Sequence, residues 1–123
     1  MEPPLLVVDA ANVVGSVPDG WWRDRAGATA RLRDRLAGQA PRGLAGLAPP
    51  VDVVLVVEGA ARGVPAVEGV RVLAAPGSGD DAIVDLLGRE PADRTRVVVT
   101  ADRALRERIR RLGASVLGPS AVR

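Results

Sequence analysis

The chain has 123 residues, 47% of them hydrophobic but only 2% aromatic, and a formal net charge of +2. It contains no histidine, cysteine, lysine or tyrosine. That excludes serine–histidine and cysteine–histidine triads, Schiff-base chemistry, disulfides and thiolate metal sites, so any enzyme built from this set must work through carboxylates, with a metal as their natural partner.

The first element is the apolar run Leu5–Val8, read as a strand with Asp9 at its end. Asn12, the only asparagine of the chain, follows three residues later. Asp-x-x-Asn after a strand fits a turn, in which the acid bonds its own backbone, and it equally fits a metal site. PDGWWRDR (18–25) comes next and leads into a helix over 24–38, where Ala28, Leu32 and Leu36 recur every four residues and Arg31, Arg33 and Arg35 fall elsewhere. Pro41 to Pro50 is a Gly/Pro/Ala-rich connection. Val53–Val57 forms the second strand and ends on Glu58-Gly59. Residues 59–69 barely suffice for a parallel crossover to the third strand, Val70–Ala74, and a hairpin there would reverse that strand.

Ser78-Gly79-Asp80-Asp81 fits a capping box opening a helix over 80–89, with Ile83, Val84 and Leu87 as its apolar stripe. Val97–Val99 is the fourth strand, followed by Thr100-x-Asp102 and a helix over 102–112 built on Leu105, Ile109 and Leu112 and stopped by Gly113. A short fifth strand, Ser115–Leu117, completes the order β-α-β-β-α-β-α-β. Unalternating Val-rich strands are buried on both faces. The expected fold is one domain over 1–123: a three-layer α/β/α sandwich with a mainly parallel central sheet of about five strands. No apolar stretch approaches the ~20 residues of a membrane span, and the short run after Met1 has no basic leader. The expected location is cytoplasmic, without membrane contact.

Ligands of an open parallel sheet bind beyond the carboxyl ends of its strands. Asp9, Glu58, Asp80 with Asp81, and Asp102 follow four strands in turn. Each has a plain structural explanation as a turn acid, a helix cap or an exposed loop charge. Capping does not explain why four successive strand ends carry an acid. Converging like charges need a cation, and oxygen-only ligands favour Mg²⁺ or Mn²⁺ over zinc. Asp85, one turn beyond Asp81, reads as a helix-surface charge.

These segments, VVDAANVVGS, VVLVVEGA, GSGDDAIVDLL and VVVTADRALRERI, resemble the NYN domain of the PIN-like nuclease superfamily, with the bacterial YacP-like group as the nearest flavour. Ala10-Ala11 stands where that family usually carries a Gly-Tyr or similar pair, and Glu58 where it more often has Asp. The resemblance implies a Mg²⁺- or Mn²⁺-dependent ribonuclease, most simply an endoribonuclease, acting on single-stranded RNA with a metal-activated water. It makes Asp9, Asp80 or Asp81, and Asp102 metal ligands. Asn12 becomes a neutral orienting group, and Glu58 and Thr100 become supports. A ribosome or RNA-decay partner and a homo-oligomer stay open.

Charge is distributed as −3 over 1–22, +4 over 23–42, −5 over 43–93 and +6 over 94–123. The basic arms read as a phosphate-backbone footprint or, more simply, as two helices with solvated arginine faces. Of the two tryptophans, one is expected in the core and the other free to stack a base. Trp22, Arg23 and Arg25 are the RNA-contact candidates near the crevice mouth. Arg103, directly after Asp102, is the arginine best placed for a phosphate, whereas Arg106, Arg108, Arg110 and Arg111 are expected to be solvated. The competing readings are a catalytically silent PIN-like RNA- or protein-binding module and, ranked lower, a Toprim-like domain. The latter should carry Asp-x-Asp after a later strand. No G-x-G-x-x-G follows the first strand, which disfavours dinucleotide binding.

Overall fold

The apolar runs become five strands: β1 (Leu5–Asp9), β2 (Asp52–Val57), β3 (Val70–Ala74), β4 (Arg96–Val99) and β5 (Ser115–Leu117). They form one sheet in the order β3-β2-β1-β4-β5, parallel at every pairing. The coordinates are a computed structural model and describe residues 2–123.

Strand alternation divides the core into two layers. Leu6, Val8, Val53, Leu55, Val57, Val97 and Val99 face α1 (Ala10–Gly15) and α2 (Arg25–Gln39), meeting Val13, Leu32 and Leu36. Leu5, Val7, Val54, Val56 and Val98 face α3 (Gly79–Gly88) and α4 (Arg103–Arg111), meeting Ile83, Leu87, Leu105 and Ile109. Each fully buried Leu or Ile contributes about 1.5–3 kcal/mol. With no Phe or Tyr available, close packing of branched aliphatics holds the sandwich together.

The expected sandwich is therefore present, with one local difference and one open alternative settled. Residues 10–15, expected to be a turn, form α1, because the Asp9 side chain caps its first turn and Val13 buries against the sheet. The short 59–69 connection does not reverse the chain. A 3₁₀ turn at Gly59–Ala61 and the buried Ala61 and Val64 carry it over the first layer to a parallel β3. Among the described residues no helix is long and apolar enough to cross a membrane.

The strand order reverses between β1 and β4, since the chain runs outward through β2 and β3 and then returns to β4 on the other side of β1. A crevice at such a reversal is where open α/β sheets place their ligands. At the opposite edge, the amino ends of the strands are closed by arginines. Arg94 donates to the Pro3 carbonyl from Nε and Nη2 at 3.0 and 2.9 Å, to Glu90 at 2.9 Å and to Asp52 at 3.0 Å. Arg96, buried in β4, donates to the carbonyls of Leu87 and Leu112 at 3.3 and 2.7 Å, satisfying the C-terminal turns of α3 and α4.

Candidate functional site

Asp9 ends β1 and is 5% exposed. Its Oδ1 accepts the Asn12 backbone N–H at 3.4 Å, and its Oδ2 accepts the Thr100 hydroxyl at 2.9 Å. The same Thr100 oxygen accepts the Asp102 backbone N–H at 3.2 Å. Asp102 in turn caps α4, its Oδ1 accepting from Leu105 N at 2.8 Å. Asn12 does not point idly into solvent. Its Oδ1 accepts the Ala101 N–H at 2.8 Å and so ties α1 to the loop between β4 and α4. Thr100 and Asn12 thus clamp the ends of β1 and β4 together from two sides.

Glu58, at the end of β2, accepts the Gly79 N–H at 3.0 Å and so fixes the start of α3. The approach to Gly79 is close: a Cβ would lie 3.1 Å from the free Glu58 Oε1, so Glu58 would have to shift to admit one. Ser78 caps α3 through Asp81 N at 3.2 Å, as the capping-box spacing predicts. This arrangement separates the two adjacent aspartates. Asp80 turns into a crevice lined by Asp9, Ala11, Asn12, Glu58 and Asp102, whereas Asp81 is exposed and pairs with Arg108 at 3.0 Å.

Of the sequence candidates, Asp9, Asn12, Glu58, Asp80 and Asp102 therefore meet in one place. Thr100 lies directly behind them, and Asp81 lies outside. The capping explanations also hold for Asp9 and Asp102, which are helix caps and face the crevice at once, whereas Glu58 is a half-buried partner of α3 and not an exposed loop charge. Capping fixes these side chains without using up all of their lone pairs.

The electrostatics are those of a site short of positive charge. Burial, first, pushes the Asp9 carboxyl up to about 6; Asp80 and Glu58 add to the rise, against the hydrogen bonds from Thr100 and Asn12. Asp80 is raised by its own partial burial and then by Asp102 and Glu58, with Arg108 as the partial counterweight. Such a donor set fits a hard cation. Among the described residues, however, no three acidic side chains are close enough to hold one ion between them. The fit is to an ion that keeps most of its waters and takes one or two carboxylates directly, as Mg²⁺ does, with Asp9, Asp80 and Asp102 as the candidate holders.

Two expectations are corrected around this centre. Neither tryptophan is core: Trp22 is 54% exposed, and Trp21 is half-buried beside the crevice. Both lie in the 3₁₀ turn Trp21–Arg23, entered through Gly20 at φ +83°, in which no residue is buried. Arg106 and Arg108 are not simply solvated. Arg106 Nε donates to the Thr100 carbonyl at 2.7 Å, backing the clamp, and Arg108 holds Asp81. Arg23, Arg25 and Arg103 are exposed, with Arg23 and Arg25 lying over the rings of Trp22 and Trp21, respectively. The role of Arg106 carried no local sequence signal, since it depends on where the chain turns after β4.

No protein-family model and no curated protein matches the sequence. Among solved structures the chain is similar to Rae1 (YacP) from Bacillus subtilis, with a TM-score of 0.75 and 19% identity over 98% of this chain and 71% of that one. A point variant of the same protein matches with a TM-score of 0.71 and 19% identity over 95% and 70%. The likeness is one of fold, and it agrees with the PIN-like, YacP-like architecture that the strand-end motifs resemble.

Proposed function

We propose that the protein is a metal-dependent ribonuclease that hydrolyses RNA phosphodiesters, most simply as an endoribonuclease on single-stranded RNA. The observation that carries this reading is the convergence of Asp9, Glu58, Asp80 and Asp102 on one crevice at the strand-order reversal, with Asp9 pushed up to about 6. A similarity of fold to Rae1 (YacP) supports it.

Of Asp9, Asp80 and Asp102, one or two would hold Mg²⁺ or Mn²⁺ directly and the rest through the waters the ion keeps. The ion, when bound, supplies a water of lowered pKa and neutralises charge developing on the phosphate. The chain itself supplies position. Thr100 orients Asp9 through one hydrogen bond and the Asp102 backbone through another. Glu58 fixes the helix start that presents Asp80. Asn12 pins the loop that carries Asp102 and keeps a neutral amide in an acidic crevice, where a further carboxylate would repel the RNA backbone. Arg103, exposed beside Asp102, offers a cation to an incoming phosphate.

The test is incubation with single-stranded RNA and Mn²⁺ or Mg²⁺ beside Asp9→Asn and Asp102→Asn. Both variants should lose more than about 100-fold in cleavage, above the 10–100-fold typical of groups that act only through a ligand. Asp102→Asn keeps a good helix cap and should stay folded. Cleavage that survives both substitutions contradicts the reading. RNA binding without cleavage by the intact protein would favour the silent binding module.

A further inference from the structure

A second cavity, of about 250 Å³, adjoins the carboxylate crevice on the α2 side. We propose that it is a nucleobase pocket, taking one unpaired base of the RNA strand whose phosphate lies over the carboxylates. The proposal rests on the ribonuclease reading above and names the group that positions the strand.

Four features carry it. The cavity and the crevice share Ala11 and Glu58, so a ligand can occupy both without leaving the protein surface. Trp21 forms part of its wall, and the Arg25 guanidinium lies 5.2 Å from the centre of that ring. With Arg25 over one face of Trp21, the cavity wall offers an indole ring and a guanidinium plane, both of them surfaces on which unpaired bases stack without sequence preference. The remaining wall is small, with Ala10 and Gly59 leaving the space open. The volume is below the roughly 300–1,000 Å³ of pockets for drug-sized ligands, and suits one flat heterocycle. Finally, Glu58 presents a carboxylate at the shared rim. Its Oε2 is taken by Gly79, and its Oε1 is free to accept an N–H from a base edge.

Trp21 is thereby assigned the stacking role, in place of Trp22. Trp22 meets Trp21 edge-on with centroids 6.0 Å apart and does not line the cavity.

The chain has two tryptophans, so Trp22→Phe leaves Trp21 as the sole indole reporter and keeps an aromatic ring against it. This variant is titrated with a short unstructured single-stranded RNA and with the same strand made abasic, first in chelator and then with Mg²⁺, and cleavage is scored in parallel. The intact RNA should quench Trp21 emission saturably, and the abasic strand should not. Trp21→Ala should weaken RNA binding roughly 5- to 100-fold, and Trp21→Phe should recover most of it. RNA that binds or is cleaved with Trp21 emission unchanged, or an abasic strand that quenches equally, overturns the pocket and leaves the nuclease reading intact. Absence of both binding and cleavage overturns the two together.

Discussion

The two edges of the sheet hold the same kinds of residue and treat them in opposite ways. At the amino edge, Asp52 accepts from both Arg71 and Arg94, and hydrogen bonds and charge from these two arginines hold its carboxyl below the usual range against the cost of burial. At the carboxyl edge, Asp9 has a hydroxyl and a backbone N–H but no arginine among its described partners, and its carboxyl rises to about 6. The amino edge is an internally balanced network that closes the sandwich. The carboxyl edge is unbalanced, and on the proposed reading a bound cation would supply the missing charge, so that stability would be kept at one end of the strands and chemistry at the other.

The largest effect on this contrast should come from Arg94→Ala. It strips Asp52, Glu90 and the Pro3 carbonyl of a partner whose side chain is only 6% exposed. Unfolding by urea should show a loss of about 3 kcal/mol. At a temperature where the variant is still folded, cleavage should be unchanged. A specific loss of cleavage would mean that the two edges are coupled.

Acidity should separate the edges by sign. The raised Asp9 contributes stability that is fully present below about pH 4 and is lost as pH rises through about 6, a change of about 3 kcal/mol for a shift of this size. The lowered Asp52 contributes stability above about pH 4 that is lost as the solution is acidified further. In chelator, wild-type stability should therefore fall between pH 4 and 6.5, and Asp9→Asn should flatten that fall. A wild-type profile rising through the same window would contradict the account of Asp9.

Smaller effects sharpen individual roles within the crevice. Asn12→Ala removes the acceptor for the Ala101 N–H and should cost about 1 kcal/mol in stability and roughly 10-fold in cleavage. Asn12→Asp keeps that acceptor, so in saturating metal its stability should return close to wild type. If neither change affects cleavage, Asn12 is only a structural tie between α1 and the loop after β4. Smallest of all, Asp81→Ala breaks an exposed pair with Arg108 and should stay within about 0.5 kcal/mol of wild type, with cleavage unchanged. Asp80→Asn should abolish cleavage, which distinguishes the two neighbours.

Much of this was legible in the chain. The apolar runs marked all five strands; the three inner ones, β1, β2 and β4, are buried because both faces of a parallel sheet demand apolar side chains, whereas the edge strands β3 and β5 are only partly buried. The acids after four of those strands converged because parallel strands point their carboxyl ends the same way. What escaped depends on local caps or distant partners. Helix α1 has six residues, too few to show a helical period, and it starts because Asp9 caps it. Asp80 and Asp81 are equivalent on paper, and only the orientation of α3 divides them. Trp21 and Trp22 are neighbours in one turn whose geometry depends on Gly20. Arg106 looked like surface charge and Arg94 drew no reading, because their acceptors lie elsewhere in the chain, at Pro3, Asp52, Glu90 and Thr100.

The central claim is that the unbalanced edge is a divalent-cation site centred on Asp9. It is tested most directly by thermal unfolding with and without saturating Mn²⁺, for wild type and Asp9→Asn, at pH 7.5 and pH 5. At about 100-fold over Kd, binding stabilises by about 2.7 kcal/mol, which is a rise in Tm of about 10 °C for a domain of this size. That rise should appear in wild type at pH 7.5, shrink at pH 5, where Asp9 is largely protonated, and be lost in Asp9→Asn. An equal rise in both proteins at both pH values, or none in wild type, would contradict it.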